Sequence, residues 1–413
     1  MKVLHINTND CLGGAARSAY RLFKGQEKIG IYARLLSLDK TVDDPHIFSY
    51  SGKYNKIRKL INMHCNRGIM ALSGDKADTP WNTNIIPFAF PMNQDEWDIF
   101  NLHWINGGLM SFKTIRSIKK PIIWTLHDSW PFTGGCHIPY NCRKYETSCA
   151  KCPQLNGKHM VDLADIVFKK KQKYYPSNIT IVCPSMWLAD CAKNSSIFFN
   201  KNIHVIPNGL DMSIYRPLSK KIARDILGIA PNKRIILFGA VQATTDKNKG
   251  YNYLKKAIYF LKDRYSREDI QLIVFGGMVP DGSEDFPYNV KYMSHLYDDM
   301  SLVILYSAAD VMLVPSKSES FGNTILEAMA CGTPCVAFNV GGIPDLIIHK
   351  RNGYLAKAFE EEDLARGIEF VIDNEQINTK LAEFARSYVV KKYDIHVIAE
   401  QYKSLYKQVL ENT

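Results

Sequence analysis

The chain has 413 residues, 46% hydrophobic and 23% charged, with a net charge of +11. Those proportions suit a soluble globular chain of two domains, each of roughly 200 residues with a sizeable core. No apolar run approaches the ~20 residues of a membrane span and no signal core follows the N-terminus, so a cytoplasmic protein is expected.

Residues 3–7 read as a first parallel strand, followed by Gly13-Gly14 and an amphipathic helix to about residue 28. Paired glycines before a helix let a ligand approach the backbone, and a tight turn needs them too. The third glycine and the acidic residue of the dinucleotide fingerprint are missing. Residues 32–37 form the next strand, and 40–96 have too weak a periodicity to place elements. Within that stretch Lys53, Lys56, Arg58 and Lys59 surround Ile57, Leu60, Ile61 and Met63; residues 168–175 form a second basic cluster. Each reads either as an interfacial patch for an anionic membrane or as a solvated helix face. Positive charge alone also suits nucleic acid, but no recognition motif accompanies it, so no nucleic-acid partner is expected.

Residues 98–103 and 122–126 are buried strands, the second running into His127-Asp128. A histidine at the carboxyl end of a parallel strand can change protonation near neutral pH, and an adjoining carboxylate can fix its tautomer. A satisfied structural histidine is the alternative. His103 is a lesser candidate of the same kind.

Cys136, Cys142, Cys149 and Cys152 follow within 17 residues. In a chain without a secretion signal such spacing argues against disulfides. Four thiolates could hold a structural zinc and fold the loop 131–155; four reduced thiols in an ordinary loop is the alternative. The other cysteines read as core residues.

A helix over 162–175, a strand over 179–183, a helix over 185–193 and a strand over 203–206 complete a first domain, 1–207. Pro207-Asn208-Gly209 is a turn, and the hinge is placed here. The second domain, 208–392, opens with a strand over 234–239 and a helix over 251–265. Strands at 271–275 and 290–293 and a helix over 297–306 follow. Helices over 360–372 and 379–390 precede a last amphipathic helix, 393–413, expected to return to the first domain.

Between them lies the most informative stretch, Ser318-Glu319-Ser320-Phe321-Gly322-Asn323-Thr324-Ile325-Leu326-Glu327. A buried strand, 311–314, ends in Pro315; a helix begins at Gly322 and stops at Gly332-Thr333-Pro334; a strand resumes at 335–338. The first amides of a helix lack intrahelical partners, and the dipole adds about half a positive charge there, so a diphosphate is well placed. Glu319 and Glu327 straddle that start, placed to grip the two ends of one nucleotide sugar; a solvated loop residue and a solvated helix residue are the alternative.

The run Glu-Ser-Phe-Gly-Asn-Thr-x-x-Glu-Ala-Met-Ala-x-Gly-x-Pro, with Gly341-Gly342-Ile343-Pro344-Asp345 after it, resembles the donor signature of glycosyltransferase family 4, retaining enzymes of the GT-B fold. The resemblance implies two doubly wound, Rossmann-like α/β domains facing a cleft. It implies hexose transfer, in surface polysaccharide synthesis, from a nucleotide-diphosphate sugar to a glycan acceptor; the basic patches and cytoplasmic placement add the expectation that this acceptor is lipid-linked at a membrane surface. Glu319 would support the sugar, Glu327 the ribose, and Lys249 with Ser320, Phe321, Gly322, Asn323 and Thr324 the diphosphate. Gly13 and Gly14 would line the cleft. His127 becomes the acceptor-side catalytic residue, with Asp128 and Asn208 beside it. The family's diphosphate arginine is replaced by Ala240, for which Lys247 or Gln242 could substitute. No cofactor is required. A phosphorylase, an epimerase or a non-catalytic nucleotide-sugar-binding protein are the alternatives.

Overall fold

The computed structural model describes residues 1–49, 52–72, 80–84, 93–155, 162–279 and 286–412, without the side chains of 52–56 and 58–59. Runs such as Val3-Leu4-His5-Ile6 and Val311-Met312-Leu313-Val314 lack the in-out alternation of a half-solvated sheet. They are buried along their length, as strands covered by helices on both faces must be. The chain divides into two units, Met1–Gly209 with Ile395–Thr413, and Leu210–Asp394.

In the first unit the described strands are β1 Lys2–Asn9, β2 Tyr32–Asp39, β3 Ile47–Ser49, β4 Ile99–Leu102, β5 Ile122–Thr125, β6 Ile179–Cys183 and β7 Asn202–Val205. They form one parallel sheet in the order β3-β2-β1-β4-β5-β6-β7. The second unit has β8 Arg234–Gly239, β9 Ile270–Phe275, β10 Asn289–Met293, β11 Val311–Val314, β12 Cys335–Phe338 and β13 Gly353–Ala356. Its order is β10-β9-β8-β11-β12-β13, again parallel. In both sheets the direction of winding reverses beside the first strand, between β1 and β4 and between β8 and β11. Open α/β sheets bind ligands outside the strand ends at such a switch point.

Several expectations shift. The segment 40–96, left without elements, contains β3 and the helix Gly52–Leu72. Helices Phe112–Arg116 and Lys220–Leu227 went unread. Strand β13, which the sequence does not announce, is an edge strand whose four residues are too few to show a pattern. The helix expected over 251–265 ends at Phe260, and the one over 379–390 extends across Glu375–Tyr393.

Helix Ile395–Glu411 lies against helix Gly14–Lys28 in the first unit and buries Tyr402 and Tyr406. Contact is so close at Gly25 that a Cβ there would stand 2.4 Å from Ile395 Cγ1. Among the described residues no helix is long and apolar enough to cross a membrane.

Candidate functional site

In the second unit the loop from β11 to helix Asn323–Ala330 is fixed mainly through its backbone. Gly322 caps the helix with φ 109°, a conformation that side-chain-bearing residues avoid. The first backbone bonds run from Ile325 N and Leu326 N to Gly322 O, so the amides ahead of them point out of the helix. At the other end Arg386 donates to Ala330 O (2.7 Å) and also holds Met212 O (3.2 Å), tying the helix to the body of the unit.

The loop carrying Lys249 is sewn to this one. Lys317 N donates to Asn248 O at 2.8 Å, and Asn248 Nδ2 to Ser318 O at 2.8 Å. Gly250, at φ 76°, sits so near β11 that a Cβ would fall 1.9 Å from Pro315 O. The next loop closes from the opposite side, where Gly342 N donates to Glu319 O (2.9 Å) and a Cβ on Gly341 would lie 2.1 Å from that same oxygen.

These straps deliver Lys249 Nζ to Glu319 Oε1 at 2.7 Å, with Ser316 Oγ donating to the same oxygen at 3.0 Å. Both side chains keep partial exposure, 23% and 18%. An ammonium and a carboxylate therefore meet at the carboxyl end of β11, beside a helix start. Such a pair can bind a diphosphate through the cation and a polyol through the anion.

Glu327 is different. It is 4% exposed, and Tyr306 donates its hydroxyl to Glu327 Oε2 at 2.9 Å. Burial and that carboxylate hold the Tyr306 phenol well above its ordinary range. Phe321 is buried against Tyr393, so the residue can offer a ligand its amide but not its ring. Ser320, Asn323 and Thr324 are half-buried at the helix start. Ala240 follows β8 directly, and Gln242 takes φ 57° in the loop behind it. Lys247 lines a cavity with Lys255, Lys256 and Lys317, whereas Lys249 turns to Glu319.

In the first unit Gly13, at φ 94°, caps helix Gly14–Lys28, and space is open where its Cβ would be. Asn208 is half-buried in the turn after β7.

His127 Nε2 meets His103 Nδ1 at 3.0 Å, and His103 Nε2 meets His5 Nδ1 at 2.9 Å. The expectation that Asp128 fixes the His127 tautomer is corrected here. Asp128 Oδ2 is taken by His137 Nδ1 (2.6 Å) and Trp104 Nε1 (3.1 Å), and Oδ1 by Trp130 N. A neighbour in sequence points elsewhere, and the partner, His103, comes from the loop after β4 instead. Burial pushes His127 and His5 down to about 4, and desolvation with the neighbouring rings holds His103 well below the usual imidazole range. All three are neutral at pH 7.

Cys136, Cys142, Cys149 and Cys152 line one small cavity with Trp81 and Tyr145. Burial pushes the thiols of Cys136 and Cys149 up to about 12. Among the described residues no group of three or more His, Cys, Asp or Glu is disposed to hold a metal ion. Of the two basic clusters, the first falls largely on side chains outside the described residues. The second is no uniform surface: Phe168, Lys171 and Tyr175 are buried, and Lys171 Nζ donates to Trp130 O and to Thr133 O (2.9 Å) over the Trp130 ring. Burial lowers that ammonium to about 7.

Residues 219–388 match the sequence model of the family described as "Glycosyl transferases group 1", which covers most of the second unit. The chain is 31% identical over 202 residues to a D-inositol 3-phosphate glycosyltransferase of Paenarthrobacter aurescens, a match covering 45% of this chain and 47% of that protein. It thus spans about half the length of the curated relatives it matches. Among solved structures it is similar to sucrose-phosphate synthase of Thermosynechococcus elongatus (TM-score 0.67, 17% identity, 100% of both chains). It is similar also to Anabaena Alr3699/HepE in complex with UDP-glucose (TM-score 0.66, 17% identity, 100% of both chains). With its two Rossmann-like sheets the fold is GT-B.

Proposed function

We propose that this protein transfers a glycosyl group from a nucleoside-diphosphate sugar to a hydroxyl of a second substrate. One observation carries the reading: Lys249 and Glu319 are held at 2.7 Å from each other beside the amino end of helix Asn323–Ala330. In this reading the helix amides and Lys249 bind the diphosphate and stabilise the charge that grows on it as the glycosidic bond breaks. Glu319 accepts hydrogen bonds from sugar hydroxyls and faces the positive charge of an oxocarbenium-like state. Glu327 takes the ribose end. The first unit supplies the acceptor side through His127, and the departing phosphate carries off the acceptor's proton.

The finer proposals are retention at the anomeric carbon, a hexose donor and a lipid-linked glycan acceptor at the cytoplasmic membrane face in surface polysaccharide synthesis. Support for the membrane comes from the net charge of +11 and from Ile57, Leu60, Ile61 and Met63, exposed on helix Gly52–Leu72. A structural zinc on the four clustered cysteines is a separate proposal: they share one small cavity, but as placed no three of them are disposed to hold a metal, so binding would require the loop to rearrange. Metal analysis of the purified chain decides it, a chain with no bound metal removing the idea.

Incubation with UDP-, GDP- and ADP-sugars tests the main reading. Release of free nucleoside diphosphate together with a glycosylated acceptor is expected with one of them. Release of sugar phosphate indicates a phosphorylase, and binding without turnover a non-catalytic protein; either overturns the reading.

A further inference from the structure

The three histidines are part of a longer, largely buried chain of polar groups, of which the transfer reaction as described uses only His127. His5 Nε2 stands 2.9 Å from the Gln26 amide, which in turn meets the Tyr406 hydroxyl at 2.9 Å. Asn101 Nδ2 reaches Tyr406 at 2.7 Å, Thr125 Oγ1 reaches Asn101 Oδ1 at 3.0 Å, and the Tyr402 hydroxyl lies 3.0 Å from Thr125 Oγ1. Five segments contribute: β1, helix Gly14–Lys28, β4 with its following loop, β5 with its following loop, and helix Ile395–Glu411. The rings of His5, His103 and His127 stack at 5.2 and 5.3 Å, fixing their planes.

Each link has one proton, so the chain can run in only one direction at a time. As the Gln26 amide stands, its Oε1 faces His5 and its Nε2 faces Tyr406. Tyr406 then receives protons from both Gln26 and Asn101, and its own has no acceptor among the described residues. Reversing the Asn101 amide only moves the unspent proton to Tyr402. Both hydroxyls are buried, where an unused donor is costly. A half-turn of Gln26 removes the conflict. Tyr402 gives to Thr125, Thr125 to Asn101, Asn101 to Tyr406, Tyr406 to Gln26 Oε1, Gln26 Nε2 to His5 Nε2, His5 Nδ1 to His103 Nε2, and His103 Nδ1 to His127 Nε2. The last proton in the series is on His127 Nδ1, for which no hydrogen-bond acceptor is found among the described residues.

We propose that His5, His103 and His127 are all neutral rings protonated on Nδ1, and that Gln26 and His103 are positioning residues that make His127 a hydrogen-bond donor to a substrate oxygen. The second half rests on the reading that His127 faces a substrate; the first does not. A ring held this way cannot accept the acceptor's proton, which agrees with that proton leaving on the phosphate. It also assigns a role to the C-terminal helix: Tyr402 and Tyr406, some 275 residues beyond His127, set which nitrogen of His127 is protonated.

The test is a long-range proton–nitrogen correlation spectrum of the full chain labelled with ¹⁵N-histidine, at pH 7, with His103→Gln and His127→Asn used to assign the rings. Three rings with a protonated Nδ1 and a bare Nε2 are expected, although the opposite tautomer is favoured by histidine in water. A bare Nδ1 on His127, or a cationic ring, overturns the proposal. Gln26→Glu supplies the second readout, because a carboxylate has no proton to give and must accept from His5. All three rings are expected to reverse, with kcat falling about tenfold or more while the donor KM moves less than twofold. Unchanged tautomers in that variant overturn the direction of the chain. If the variant fails to fold, the wild-type spectrum still decides. A chain with the expected tautomers and no transfer activity leaves the relay standing and removes the proposed function.

Discussion

The two units hold their candidate groups by opposite means. In the second unit backbone does the positioning: Gly250, Gly322 and Gly341 bring three loops within contact distance, and Lys249 and Glu319 emerge partly exposed from that frame. In the first unit the backbone brings strands alongside one another, and a line of buried side chains orients His127. A backbone frame tolerates a charged pair at its mouth because solvent reaches it. A largely buried line of imidazoles stays neutral, since the cost of desolvating a charged ring outweighs the attraction of the one nearby carboxylate, Asp128. The difference predicts that the second unit fails chemically when a charge is removed, whereas the first fails when protons are added.

The largest effect expected is on turnover. Glu319→Ala removes the carboxylate that faces the developing sugar cation and breaks its ion pair with Lys249. A loss of about 10²-fold or more in kcat is expected from steady-state assays, with the fold retained. Retained turnover would show that the pair at β11 is structural, and the contrast between the units would go with it.

Acid should single out the first unit. His5 and His127 titrate near 4 in the folded chain and near 6.5 when unfolded. Below pH 6.5 the unfolded chain therefore binds more protons, and stability falls with pH until the folded pKa is passed. Between pH 7 and pH 5 each ring accounts for a loss of about 2 kcal/mol. Denaturant melts followed by tryptophan fluorescence report it, because Trp124 and Trp130 are buried in the first unit. Replacing His5 by Gln should flatten the slope.

The same contrast explains what could be read from the chain. Glu319, Gly322 and Glu327 lie within nine residues, and a strand, a glycine and a helix start are local features with a period and a punctuation mark. The sheets were legible for the same reason, since Val3-Leu4-His5-Ile6 and Cys335-Val336-Ala337-Phe338 announce covered strands. The relay was not legible. His5, Gln26, Asn101, Tyr402 and Tyr406 meet only after the sheet orders β1 between β2 and β4 and the last helix returns to the first unit. Reading outward along the chain from His127 led to Asp128, and that carboxylate belongs to His137. Helix Gly52–Leu72 escaped because its apolar residues are scattered among basic ones, with Leu60 and Ile61 left in solvent.

A smaller loss is expected where the backbone frame itself is disturbed. Gly250→Ala adds a Cβ 1.9 Å from Pro315 O at a residue with φ 76°, so the Lys249 loop must lift away from β11. Strain of this kind costs about 1–3 kcal/mol, visible as a lowered melting temperature. Donor affinity should fall with it, because Lys249 moves with its loop. Gly228→Ala is the control: φ is similarly positive at 65°, but nothing lies within 4 Å of the new methyl, and no candidate group depends on it. Equal loss of donor affinity in the two variants would mean that general destabilisation, not displacement of Lys249, is responsible.

The smallest change proposed is Tyr306→Phe, and it asks whether Glu327 belongs with the exposed pair or with the buried relay. The hydroxyl is a hydrogen-bond donor to Glu327 Oε2 in a site closed to water. Deleting it leaves a buried carboxylate short of one donor, at a cost of about 1.5–3 kcal/mol for a bond to a charged group, reduced if water enters the space. If Glu327 grips the ribose, its orientation also matters to ground state and transition state alike. Uniform binding of that kind appears in KM and not in kcat. The donor KM is therefore expected to rise several-fold with kcat nearly constant, the reverse of the Glu319→Ala pattern. A stability loss without any change in KM would place Glu327 among the structural residues of the helix, and the donor grip would then rest on Glu319 and Lys249 alone.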